Sequence, residues 1–139
     1  SKNFDLWKLA MAIQSNSYIS LHSVLAKNGL TGTLSYNRVD LVTTSPNNTI
    51  RFGNYLIRIF SINNNSFFGF ETNNKGIKIA DNEKAFIDLL YYYNRGYKFP
   101  IDPLVEVNLE KLNKKKLSKY LKRYQNPKFI KFVKGVING

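Results

Sequence analysis

Between residues 39 and 79 the hydrophobic spacing becomes strand-like, and the strand-like segments follow one another with only short turns between them. Gly53 and Asn54 form a two-residue loop of the hairpin type. Short connections leave no room for the crossover helices of a doubly wound sheet. The pattern therefore predicts an α+β fold with a central antiparallel β-meander. Its predicted strands are 39–44, 49–52, 55–62, 67–71 and 76–79.

Helical spacing flanks this region on both sides. Apolar residues recur three and four apart in 4–13, and Ser20 is the predicted N-cap of a second N-terminal helix that ends before Gly29. Residues 79–91 read IADNEKAFIDLLY, in which Asp81 is a good N-cap and the apolar residues again have helical spacing. This segment predicts a core helix at 81–94.

The polar residues of this predicted core helix have different explanations. Capping explains Asp81, and the positive end of the helix dipole favours Glu83 in the first turn. Lys84 and Asp88 lie four apart and could form an ion pair, although lysine before the acid is the weaker order. Asp88 is the acid that neither capping nor the dipole explains.

The C-terminal segment carries most of the positive charge. The net charge of the chain is +12, and no acid follows Glu110. One apolar stripe comprises Leu117, Tyr120, Leu121 and Tyr124, and a second follows Asn126 as cap and Pro127 as first helical residue. Two amphipathic basic helices are therefore predicted. Their basic residues are Lys111, Lys114, Lys115, Lys116, Lys119, Lys122, Arg123, Lys128, Lys131 and Lys134.

This charge has two explanations. One is a solvated helix face in a Lys-rich chain. The other is a surface for nucleic-acid phosphates, and sixteen Lys against five Arg favour phosphate contacts over base reading, because bidentate recognition of guanine usually uses arginine. An acidic protein or a tRNA-bound complex would also fit such a face. The candidate nucleic-acid-binding residues are Lys114, Lys115, Lys116, Lys119, Lys122, Arg123, Lys128 and Lys131.

Two motifs resemble a known family. Residues 79–91 are similar to the A-D-P-E-K-A-hydrophobic-hydrophobic-D-L-L-Y signature of the AbiEi family, the antitoxin and predicted transcriptional regulator of type IV toxin-antitoxin systems of phage defence. Residues 18–30, YISLHSVLAKNGL, are similar to the Y-I-S-L-x-S-A-L-x-x-x-G-L element that precedes it. The resemblance covers about residues 15–95, with Asn82 standing where the family usually has proline. The motif residues of open role are Tyr18, Ser20, Asp81, Glu83, Lys84 and Asp88.

The resemblance implies a C-terminal antitoxin domain. Family members typically carry an N-terminal winged helix-turn-helix that binds inverted repeats in their own promoter, while the C-terminal domain counteracts a cognate nucleotidyltransferase toxin. Only about seventeen residues precede the Tyr18 motif, so we expect residues 1–139 to be a single antitoxin domain without the winged domain. Since the chain begins with Ser, we expect a fragment of a longer protein, or a member that has lost its DNA-reading half. The expected partners are DNA, contacted with weak sequence specificity, and the toxin.

Composition argues against other classes. The 43% of hydrophobic residues suffices for one core, and the absence of cysteine excludes disulfides, thiolate catalysis and cysteine metal sites. No apolar run of 18 residues and no signal peptide pattern occur, so we expect a cytoplasmic protein without a membrane partner. The oligomeric state stays open.

An enzyme is not expected, and neither is a cofactor or metal. The lone His22 lies among apolar neighbours, which favours a packed or a surface histidine over a catalytic one, and no serine, histidine and acid set surrounds it. The nine acids are too thinly spread for a metal-dependent nuclease, and a glycine-rich phosphate loop is missing. A stand-alone basic nucleic-acid-binding module without antitoxin role remains the main alternative, and a relic of a metal-dependent nuclease ranks lower. A helix-turn-helix opening at 20–30 is disfavoured because a strand follows.

Overall fold

The computed structural model describes residues 5–32 and 36–139, and in these residues helices and strands are both present, so the α+β prediction is confirmed. The predicted start of the first helix at Phe4 lies outside the described residues. The strands are β1 (Ser17–Ile19), β2 (Arg38–Thr43), β3 (Asn48–Phe52), β4 (Tyr55–Ser61), β5 (Phe70–Thr72) and β6 (Lys78–Ala80). The α-helices are α1 (Leu6–Ile13), α2 (Leu21–Lys27), α3 (Asn82–Tyr93), α4 (Lys114–Leu121) and α5 (Pro127–Asn138).

The strands form one mixed sheet in the order β3-β4-β2-β1-β6-β5, so the predicted antiparallel meander is wrong. The hairpin through Gly53 and Asn54 is confirmed, with Phe52 opposite Tyr55. However, β4 then inserts between β3 and β2 and pairs with β2 in parallel, Val39 opposite Ile57. The link between β2 and β3 makes this possible, because its four residues can span the roughly 10 Å width of one intervening strand.

The short strand β1 was not predicted, although it lies in the middle of the sheet. It pairs antiparallel with β2 through Tyr18 and Val42, and parallel with β6 through Ile19 and Ile79. All three of its residues are buried. A three-residue strand that is covered on both faces shows no alternation of polar and apolar residues, and therefore gives no period-two signal.

The predicted core helix is confirmed as α3, with Asp81 as its N-cap accepting a 2.8 Å hydrogen bond from the backbone N–H of Lys84. It contacts α2, α4, α5 and β6. Because neighbours surround it on several sides, burial extends well beyond the predicted apolar stripe and includes the charged side chains of Lys84 and Asp88.

The two predicted basic helices are confirmed as α4 and α5. Asn126 caps α5 by accepting from the backbone N–H groups of Lys128 and Phe129, and Pro127 takes the first helical position. The buried residues of the first predicted stripe, Leu117, Leu121 and Tyr124, face the core. None of the helices within 5–32 and 36–139 is long and apolar enough to cross a membrane.

Candidate functional site

A closed ion pair between Lys84 and Asp88 lies at the centre of the molecule. The Lys84 Nζ atom is 2.5 Å from Asp88 Oδ1, and both side chains are fully buried. Because both charges have left water, each depends on the other and on further polar partners. The sequence-predicted pairing of these two residues is therefore present, but as a core feature without solvent access.

The motif at residues 18–30, which is the first of the two in chain order, supplies further polar partners. The hydroxyl groups of Tyr18 and Ser20 each donate a 2.8 Å hydrogen bond to Asp88 Oδ2. Ser20 was predicted to cap α2, and it does occupy the N-cap position, yet its side chain makes no capping bond and turns to Asp88 instead. Lys84 Nζ also donates to the phenol oxygen of Tyr124 at 2.9 Å. We call Tyr18, Ser20, Lys84, Asp88 and Tyr124 the buried network.

Burial dominates the electrostatics of this network. Desolvation raises the pKa of the Asp88 carboxyl, although Lys84 and the two hydroxyl donors oppose the rise. Desolvation likewise lowers the pKa of Lys84, against the attraction of Asp88. Burial and the neighbouring Asp88 raise the pKa of Tyr18 well above its usual value. The geometry suits a structural lock that joins β1, α3 and the link after α4.

Gly69 makes room for the stem of Lys84. A Cβ atom built at Gly69 would lie 2.7 Å from Lys84 Cγ and 2.8 Å from Lys84 Cβ. The backbone at Gly69 also has φ +82°, a left-handed conformation that favours glycine. The adjacent Phe68 ring lies 4.7 Å from Lys84 Nζ and provides a cation–π contact. Phe68 and Gly69 thus form one wall around the lysine.

The remaining motif acids fasten α4 to the start of α3. The Tyr120 hydroxyl donates to Asp81 Oδ2, and Lys116 Nζ lies 2.9 Å from the same oxygen. Glu83 Oε2 accepts a 2.9 Å hydrogen bond from the backbone N–H of Asn113, the N-cap of α4. Both acids therefore have a second structural use beyond the capping and dipole effects seen in the sequence.

The predicted nucleic-acid-binding residues divide into two groups. Lys116 is ion-paired with Asp81, and its Nζ is 3.7 Å from Glu83. The other residues are exposed and, within the described ranges, have no acidic partner. We call the exposed group the basic surface: Lys114, Lys115, Lys119, Lys122, Arg123, Lys128 and Lys131.

A second buried polar cluster was missed by the sequence analysis. Asp40 is fully buried on β2, 3.1 Å from the Arg38 guanidinium, and stands opposite Arg58 on β4. Burial raises the pKa of the Asp40 carboxyl despite both arginines. The alternation of Arg38 and Asp40 along a strand was the available signal, but the parallel neighbour that brings Arg58 was not predicted. His22 is 2% exposed, so it is a packed rather than a surface histidine.

The described residues contain no group of three or more His, Asp or Glu side chains placed to hold a metal ion. In comparisons with protein-family models, curated proteins and solved structures, nothing matches this chain.

Proposed function

We propose that this chain is an AbiEi-like antitoxin domain that counteracts a nucleotidyltransferase toxin in the cytoplasm and adds weakly specific DNA contacts to transcriptional autoregulation. One observation carries the proposal. Tyr18 and Ser20 of the first motif bond directly to Asp88 of the second. The two motifs on which the resemblance rests therefore belong to one buried network, which gives a physical reason for their occurrence in one chain.

The network supports the fold of such a domain but offers no contact surface, because its central ion pair is closed to solvent. Contacts with partners must use exposed residues. The basic surface has seven cations and no acidic partner among the described residues, and each phosphate that it neutralises would release counterions. This supports the DNA-binding part of the proposal.

Co-expression tests the antitoxin role. The domain is expressed together with the toxin gene that neighbours its parent gene, and growth is compared with that of cells expressing the toxin alone. We expect restored growth. Persistent toxicity in the presence of folded, abundant domain would refute the antitoxin role. If the purified domain still bound duplex DNA, that result would favour the alternative, a stand-alone nucleic-acid-binding module.

A charge-reversal variant tests the surface. Lys115→Glu, Lys119→Glu and Lys122→Glu together should abolish duplex binding at moderate salt. The matched control reverses the exposed Lys8, Lys75 and Lys98, which lie outside the C-terminal helices and change the net charge equally. Equal losses in both variants would mean that overall charge, rather than this surface, governs binding.

A winged domain of about 60 to 90 residues encoded upstream would add the repressor role.

A further inference from the structure

A polar groove runs beside the basic surface, between the turn after β4, the end of α3 and the link between α4 and α5. Two adjoining cavities of about 260 and 660 Å³ form it and share Asn63, Tyr91 and Arg95. The smaller cavity is also lined by Arg123 and Asn126. Since Arg123 belongs to the basic surface, the groove opens directly onto it.

The groove presents cations on aromatic supports. The Arg95 guanidinium lies 4.5 Å from the Tyr91 ring centroid, and the Arg123 guanidinium lies 4.1 Å from the Phe68 ring centroid. Both arginines are exposed, and neither has an acidic partner within the described residues. A guanidinium held in this way can pair with a phosphate or provide a plane on which a base stacks.

Two amide side chains in the groove have fixed orientations. The side-chain oxygen of Asn63 accepts from the backbone N–H of Ser66, and that of Asn126 accepts from the backbone N–H groups of Lys128 and Phe129. Each amide is therefore held with its NH₂ group left as a donor. Such donors match phosphate oxygens and the carbonyl oxygens on base edges.

We propose that this groove binds one or two nucleotides of single-stranded nucleic acid, with phosphates against Arg95 and Arg123 and a base on the Arg95 plane. The inference rests on the nucleic-acid part of the proposed function and specifies single-stranded nucleic acid as the ligand of this groove. In a duplex the bases are paired and stacked, so none of them can enter the groove. The exposed lysines alone would suffice to contact the phosphate backbone of a duplex. An unpaired base can enter, because only in a single strand are its face and edge free.

Binding titrations test this inference on the intact chain. Labelled 12-mers of single-stranded DNA, of RNA of the same sequence and of the corresponding duplex DNA are titrated by fluorescence anisotropy at one salt concentration. Arg95→Gln should weaken single-strand binding about tenfold, by loss of one base-stacking contact, and change duplex binding less than about twofold. Arg51→Gln, an exposed arginine on β3 outside the groove, is the matched control and should change neither.

The outcomes separate the two proposals. An Arg95→Gln variant with unchanged single-strand affinity, or with equal losses for single strand and duplex, would overturn the groove while leaving the basic surface intact. Failure of all three oligonucleotides to bind the wild-type chain would remove the nucleic-acid part of the proposed function as well. Comparison of the DNA and RNA arms identifies which single strand is preferred.

Discussion

Tyr18 donates a 2.8 Å hydrogen bond to Asp88, joining a strand residue to a helix residue 70 positions further along the chain. Asp88 also accepts a hydrogen bond from the Ser20 hydroxyl group and forms the buried ion pair with Lys84. One carboxylate thus holds together β1, the start of α2 and α3. Its loss should therefore affect the whole fold rather than one element.

Removing either partner of the ion pair should destabilise the protein strongly. Lys84→Met or Asp88→Leu leaves a buried charge uncompensated, so each single variant should lose about 3 to 5 kcal/mol of unfolding free energy in urea titrations. The double variant removes both charges and should be less destabilised than the sum of the single variants by about 2 kcal/mol. Strictly additive losses would contradict the coupling. Lys116→Met, at the partly exposed pair, should cost less than about 1 kcal/mol.

Alanine at Gly69 should expose the steric requirement of the Lys84 stem. The control is Gly76→Ala, because Gly76 has a similar φ of +79° but nothing within 4 Å of an added Cβ. Gly76→Ala should therefore cost about 1 kcal/mol, for the backbone conformation alone. Gly69→Ala should lose a further 1 to 3 kcal/mol, roughly, because the new methyl group overlaps Lys84. Equal losses measured by urea denaturation would show that the lysine stem moves aside freely.

Stability should fall steeply above pH 10. Burial is the largest cause that raises the pKa of Tyr18, Tyr92 and Tyr124 above the usual 10.0. The native state therefore keeps protons that the unfolded state releases, and stability present below pH 10 is lost as the pH rises. Three such phenols together contribute a slope of about 4 kcal/mol per pH unit. Lys84 acts in the opposite direction, because its lowered pKa makes the native state lose this proton before the unfolded state does. Its contribution to stability therefore rises with pH, but only up to about pH 10.5, the ordinary pKa of lysine.

Urea midpoints between pH 9 and pH 12 measure this slope. Tyr92→Phe should make it shallower by about 1.4 kcal/mol per pH unit, since one titrating phenol is removed. Burial and the hydrogen bond to Asp81 raise the pKa of Tyr120 to about 12, so this less buried residue adds a smaller loss in the same direction. A slope unchanged by Tyr92→Phe would contradict the assignment.

The salt dependence of DNA binding should distinguish two lysines of α4. Lys119 is exposed and unpaired among the described residues, so Lys119→Gln should reduce the slope of log affinity against log salt by about 0.9. Lys116→Gln should leave the slope nearly unchanged, because the ammonium of Lys116 is already engaged by Asp81 at 2.9 Å. Titrations at four salt concentrations provide the comparison. The reverse order of effects would place the DNA on the α3–α4 junction instead.

The amino-acid sequence by itself determined the local elements of this protein. Caps such as Asp81 and Asn126, the Gly53–Asn54 loop and the helical apolar spacing act within a few residues, so α3, α4, α5 and the hairpin were all predictable. Only the tertiary structure decided the strand order, the central position of β1 and the closure of the buried network. Those features depend on pairings between residues far apart in the chain, such as Tyr18 with Asp88 and Asp40 with Arg58, and no local pattern encodes which distant partner a buried polar group will meet.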